Sequence, residues 1–321
     1  MSTQQPLRVV LVVVALGLVP ALLLAAFVAV GMGHRAMEAR DFHMLYVAAV
    51  AAAHGRSPYP AHASSLTWEG GAQSAYPYPP LVALLVAPLT LVSFHTAAVS
   101  WVLLSTASVA LALWLLDVRD WRCYGAMCLW PSTLTAISVG TISPLLLLGV
   151  AATWRLRHRT GSAATTAALT VAAKLFLWPL IPWLWLIGRR MAAVTAALGS
   201  VAASLLAWWW LGFAGLRAYP SLLSRLTTVE APIGYAPAWQ LAGYAGIAIA
   251  AVACAVAVNR LRPGQRPKLQ AATLSALVLT PILWLHYLVL LAAALPKRFS
   301  WLWLLPALLW LTPQQWSYGQ A

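Results

Sequence analysis

The chain has 321 residues, 62% hydrophobic and only 8% charged, which leaves too little polar surface for a water-soluble globule and predicts a polytopic membrane protein. Its 20 Lys and Arg against six Asp and Glu give a formal charge of +14, but the cations fall in short clusters between apolar runs: "RLRHR" from 155, "GRR" from 188, "NRLRPGQRPK" from 259 and "PKR" from 296. That is the pattern of cytoplasmic loops and excludes a nucleic-acid-binding face free of the bilayer. Cys123, Cys128 and Cys254 have neither paired spacing nor nearby His, so they read as packing residues.

Residues 9–30 are an apolar stretch of 22, longer than a signal-peptide core, and predict a retained first helix. Residues 31–79 follow without a spanning-length apolar run. Their three Arg are offset by Glu38, Asp41 and Glu69, which places the segment outside. Phe42, Leu45, Tyr46, Ala49 and Ala53 keep helical spacing, as in an interfacial helix that lies along the membrane and ends at "HGRSPYP". "AYPYPP" from 75 marks re-entry, since proline suits a first helical turn and tyrosine the interface.

Two spans then fit residues 80–116, with a break near "VSFHT" from 92, and return the chain outside at "DVRDWR". Residues 123–154, broken at "SVGTIS", read as one crossing plus a half-helix. The segment 162–187 has basic clusters at both ends and therefore an even number of crossings, so two short helices should meet near Lys174 at the outer side. The same arrangement recurs at 270–295, with "TPILWLHY" at its middle. Runs at 191–213 and 239–258 flank a second outer loop, 214–238, and 300–313 gives a last span. The whole reads as a single integral-membrane domain, 1–321.

On this topology Asp41, Lys174 and His286 share the outer face. A lone ionisable group in an apolar segment costs about 2.5–3.5 kcal/mol at the bilayer centre, so it needs a partner or a function. Lys174 alone among the three lysines lies inside an apolar run. It could snorkel to a headgroup or meet a phosphate. His286 could be a hydrogen-bonded core residue, and Asp41 a charge favoured by a helix N-terminus. Asp117 and Asp120 neighbour Arg119 and Arg122, which reads as solvated pairing rather than a metal site, and nothing in the pattern calls for a metal or another cofactor.

An Asp-Phe after the first helix, in "DFHMLYVAAVAAAHGRSPYP", then "YPYPP", a mid-chain "AAKLFLWP" running to "GRR" and a late "TPILWLHY" together resemble glycosyltransferase family 87 of the GT-C superfamily, over roughly residues 8–295. The resemblance implies an all-α GT-C fold with about 10–12 transmembrane helices, at the cytoplasmic membrane of a bacterium, with the active site on its outer face. It implies a polyprenyl-phosphate-linked sugar donor, often of mannose, and a glycolipid or glycan acceptor. The family's acid in the first outer loop, the general base, is matched by Asp41. Lys174, His286 and Arg56 are then candidates for the donor phosphate, and Tyr59, Tyr76, Tyr78 and Tyr287 for lining the substrate. Where family members carry a Gly-Gln-x-Asn stretch, this chain has "VGTISPLLLL", with Thr141 and Ser143 in place of the amides. The rival readings are a transporter or lipid-carrier flippase, which favours inverted repeats with charges near the midplane, and a structural membrane subunit.

Overall fold

The computed structural model describes residues 10–33, 39–59, 76–230, 237–260, 264–280 and 282–311. Glu38, Glu69 and residues 60–75 of the first predicted loop, and "APIGYA" of the second, lie outside them.

Apolar length dictates the longest elements. The stretch Val10–Val30 is helical, with one π-helical turn at Val14–Leu18 leading into α1 (Val19–Gly33). Helix α2 (Arg40–Ala53) is the interfacial helix, burying Phe42, Leu45, Ala48, Ala49 and Ala52; Ala53, expected on that face, is exposed. After it come α3 (Pro80–Val86), continued as a 3₁₀ run Ala87–Leu91, and α4 (Phe94–Leu115). Ser93 starts α4 by accepting from the Thr96 N–H at 3.3 Å, an N-cap worth about 1 kcal/mol. Its 22 residues, about 33 Å at 1.5 Å per residue, suffice for a ~30 Å hydrocarbon core.

Then follow α5 (Trp121–Cys128), α6 (Pro131–Ser138), α7 (Ser143–Leu156), α8 (Thr160–Ala173), α9 (Leu180–Leu186) and α10 (Arg190–Trp210). The last three are α11 (Tyr219–Glu230), α12 (Pro237–Arg260) and α13 (Gln265–Leu279), and a 3₁₀ run Leu285–Ala294 completes the final hairpin. No strand occurs among the described residues. The chain is an all-α polytopic membrane protein. Leu103, Leu104 and Leu111 on α4, and Leu198, Val201, Leu205 and Leu206 on α10, are exposed, as suits helices that face lipid. Helices α8 and α10 approach through Ala163, Ala164, Ala167, Ala168, Ala192, Ala193 and Ala196, all buried; small side chains let helix backbones come close where no hydrophobic effect drives them together.

Two faces define the traverses. On one, the polar loops are tied together. Lys297 pairs with Asp117 at 3.0 Å, and Arg122 grips Asp120 with two hydrogen bonds, Nε–Oδ1 3.0 Å and Nη2–Oδ2 2.8 Å. That guanidinium holds the Asp120 carboxyl down at about 2. Arg266 donates to the Leu116 carbonyl at 2.8 Å and the Leu295 carbonyl at 3.1 Å, Arg157 to Gln265 at 2.6 Å, and Lys268 to the Leu186 carbonyl at 3.2 Å. The basic clusters at 155, 188, 265 and 296 therefore share one face. On the other, Tyr46 of α2 donates to the Val92 carbonyl at 2.9 Å, Trp210 to Ala52 at 2.9 Å and Ser57 to Ala214 at 3.0 Å.

These contacts correct the expected path at three places. Residues 80–91 begin and end on the Asp41 face, so they dip into the bundle without crossing; only α4 crosses, and "DVRDWR" joins the basic face instead of lying opposite it. From there α5 and α6 rise to Val139, and α7 returns to Arg157 across a 112° bend, two opposite passes where one and a half were expected. Residues 301–311, expected to be a last span, form two short 3₁₀ runs. Among the described residues three helices are long and apolar enough to span a membrane; the other passes are shorter. The hairpins that break at Lys174 and at residues 280–284 match the expected arrangement.

The path is checked by labelling single cysteines, with the three native ones replaced by alanine, using a membrane-impermeant maleimide. Arg119→Cys and Arg298→Cys should label from the same side and Arg56→Cys from the opposite side; labelling of Arg119→Cys from the side that reaches Arg56→Cys would restore the original path.

Candidate functional site

The site forms where the breaks of three hairpins meet the start of α2. Ala39, fully buried with φ 40°, turns the chain into that helix without a side-chain cap. The helix's first N–H groups still need acceptors, and Val139 supplies one: its carbonyl accepts from Asp41 N at 3.0 Å and Phe42 N at 3.3 Å. The turn that presents it depends on Gly140, whose φ is +78° and whose missing Cβ would lie 2.6 Å from Phe42 Cβ. Trp101 then locks the turn, donating to the Gly140 carbonyl at 2.8 Å while its ring stacks on Phe42, centroids 5.0 Å apart. The segment "VGTIS" is thus the seat of Asp41.

Lys174 arrives from α8. That helix ends at Ala173, and Lys174 takes an extended conformation that points its side chain at the strap 76–80. Its Nζ lies 3.8 Å from the centroid of the Tyr78 ring and 5.3 Å from that of Tyr287, a cation between two aromatic faces. Tyr287 comes from the 3₁₀ run after α13. It is stacked on Phe176 at 4.9 Å and met edge-on by His286 at 4.7 Å, and His286 lies parallel to Trp284 at 6.1 Å.

Asp41 completes the group. Half-buried, it lies within electrostatic reach of Lys174 and Arg40, and of the Tyr78 and Tyr287 phenols. Burial raises its carboxyl from 3.8 to about 6, with the two cations pulling the other way. A carboxylate in that range is a competent base near neutral pH and an uncomfortable ion for its surroundings.

The structure brings together five of the eight predicted residues: Asp41, Lys174, Tyr78, Tyr287 and His286. Tyr59 and Tyr76 are buried behind the strap, their hydroxyls engaged by the carbonyls of Tyr78 and Pro79. They hold the wall of the site in place. Arg56 is exposed just past the end of α2, whose first turn holds Asp41, and lines a groove of about 430 Å³ with His43, Tyr46, Val50 and Phe94. Among the described residues no group of three or more His, Cys, Asp or Glu comes together that could hold a metal ion.

Three contributors escaped the sequence reading: Phe176, Trp208 and Tyr219. Tyr219 carries a faint signal, since "AYP" occurs both there and in the strap. The model of glycosyltransferase family 87 matches residues 76–283, well over half of the chain.

The chain belongs to glycosyltransferase family 87.

No curated protein and no solved structure matches it. The matched segment holds the strap, the "VGTIS" seat, Lys174 and Tyr219. Asp41 precedes it and His286 lies three residues beyond it; Asp41 is joined to it by the hydrogen bond to Val139. As a member of this family the chain is a membrane-embedded glycosyltransferase, with a sugar donor and an acceptor as its substrates.

Proposed function

We propose that this glycosyltransferase moves a sugar, mannose by family precedent, from a polyprenyl-phosphate-linked donor to an acceptor hydroxyl of a glycolipid or glycan, at the outer face of a bacterial cytoplasmic membrane. The observation that carries the reading is the meeting of an enclosed carboxylate, Asp41, with an ammonium, Lys174, held on the faces of Tyr78 and Tyr287.

In this reaction Asp41 takes the proton of the acceptor O–H. The oxygen attacks the anomeric carbon, the bond from that carbon to the phosphate oxygen breaks, and polyprenyl phosphate leaves with the electron pair, inverting configuration in one displacement. Negative charge grows on the leaving phosphate, and the Lys174 ammonium is the group suited to meet it, with His286 beside it as a hydrogen-bond donor. Arg56, past the end of α2, would meet a phosphate from the groove it lines with His43. Gathering of the basic clusters on the opposite face supports an outer location for Asp41.

The test is donor choice. The purified protein in vesicles should transfer labelled mannose from polyprenyl-phosphate-mannose and not from a nucleotide-activated mannose; transfer from the nucleotide donor alone would overturn the reading.

A further inference from the structure

Three phenols of this chain are spent on three consecutive carbonyls. Tyr219 donates to Pro77 O at 3.1 Å, Tyr59 to Tyr78 O at 2.7 Å and Tyr76 to Pro79 O at 3.1 Å. The strap they hold, Tyr76 to Pro80, has prolines at 77, 79 and 80 and so lacks three backbone N–H groups. Its carbonyls are the main handles by which it can be fixed.

The donors are themselves fixed. Tyr59 stacks on Trp208 at 5.0 Å and meets Tyr219 edge-on at 5.3 Å, while Trp208 meets Tyr219 at 5.6 Å. Gly215, with φ +84°, lets the chain before α11 pass this cluster, since a Cβ there would fall 2.8 Å from Tyr59 Cβ. On the other side of the strap the Tyr78 ring faces Lys174.

We propose that Tyr59, Tyr76 and Tyr219 form a clamp whose purpose is to set the Tyr78 ring against Lys174, making Tyr78 and Tyr219 positioning residues for the ammonium. A ring face attracts a cation without taking up its N–H donors or cancelling its charge, as a carboxylate partner would. Lys174 is therefore held in one place with its hydrogen bonds free for an anionic group. This rests on the reading of Lys174 as the cation that meets the donor phosphate. It adds that α11, remote in sequence, controls that cation through Pro77.

Competitive acetylation of the full-length protein in nanodiscs tests it, because the chain has only three lysines and Lys268 and Lys297, on the basic face, serve as references. Tyr78→Leu should raise the labelling of Lys174 relative to them by about 10-fold. Tyr219→Phe, which keeps the ring and removes the bond to Pro77, should raise it by about 5-fold, and Tyr78→Phe should leave it at the wild-type value. Wild-type labelling in both Tyr78→Leu and Tyr219→Phe would overturn the clamp, as would Tyr78→Phe behaving like Tyr78→Leu. In transfer assays Tyr219→Phe should raise the donor KM more than it lowers kcat, and Tyr78→Phe should recover most of what Tyr78→Leu loses. Absence of any transfer from a polyprenyl-phosphate sugar by the wild type would remove the functional reading, and the labelling would still decide for or against the clamp.

Discussion

Replacing Asp41 with asparagine should lower sugar transfer at saturating donor and acceptor by about 10³-fold, within the range that a positioned base contributes. The change removes the proton acceptor and keeps the shape, so the α2 turn on Val139 and the Phe42–Trp101 stack stay in place. It should not unfold the protein, and the sign can be worked out. The folded state raises the carboxyl from 3.8 to about 6, so folding favours the neutral form. The cost of the charge is absent below about 4, grows as pH rises towards 6 and is fully present at neutral pH. Asparagine mimics the neutral form, so at pH 7 the variant should resist thermal aggregation in detergent at least as well as the wild type. Initial rates at matched protein levels, with the melting curve alongside, check both halves. A variant that is folded and active would remove Asp41 from catalysis.

Replacing Lys174 with methionine should lower kcat/KM for the donor by about 10²–10³-fold, the scale of losing one preorganised group at developing charge. Methionine keeps the length and apolar stem, so the packing of Tyr78 and Tyr287 against the site survives while the cation is lost. Arginine should recover part of the loss, since it keeps the charge in a different shape. A second consequence separates this from a packing defect. The Lys174 ammonium pulls the pKa of Asp41 down, so without it the acid limb of the pH profile should move to higher pH. A methionine variant with wild-type rates and an unmoved limb would contradict the role.

Much of this was legible in the sequence because the cost of an ion in lipid is local. Lys174 stands out against apolar neighbours, Asp41 was marked by the family resemblance of the Asp-Phe after the first helix, and "YPYPP" and "TPILWLHY" mark the breaks beside which Tyr78, His286 and Tyr287 fall. The breaks at Lys174 and at residue 280 followed from parity between basic clusters. The path through 80–122 did not, for a physical reason. Hydropathy cannot tell a dipping segment from a crossing one, and only the bond from Tyr46 to Val92 shows that residues 80–91 return to the face they left. The miscount then carries forward: two spans over 80–116 return the chain to the outer side at "DVRDWR", and one crossing fewer puts that loop on the basic face, where Asp117 meets Lys297. Tyr59 and Tyr76 were assigned to the substrate because a tyrosine near an interface has an apolar body and a polar tip. Which way the tip points is a tertiary fact, and here it points to the strap's own carbonyls. The transporter reading drew on the paired broken hairpins, α8–α9 and α13 with its 3₁₀ partner; these are present, but in a member of a glycosyltransferase family they frame Lys174 and Tyr287 on one face.

The dependence of kcat/KM on pH shows whether an enclosed carboxylate must lose its proton before transfer. The groups that act on Asp41 are Arg40 on its own helix and Lys174 just past the end of α8, with the phenols of Tyr78 and Tyr287 nearby. The rate for purified wild-type protein with polyprenyl-phosphate-mannose should fall as pH drops, with a midpoint near the raised value of about 6. A profile flat from pH 4.5 to 8, or a midpoint at an ordinary carboxylate's ~4, would contradict Asp41 as the base.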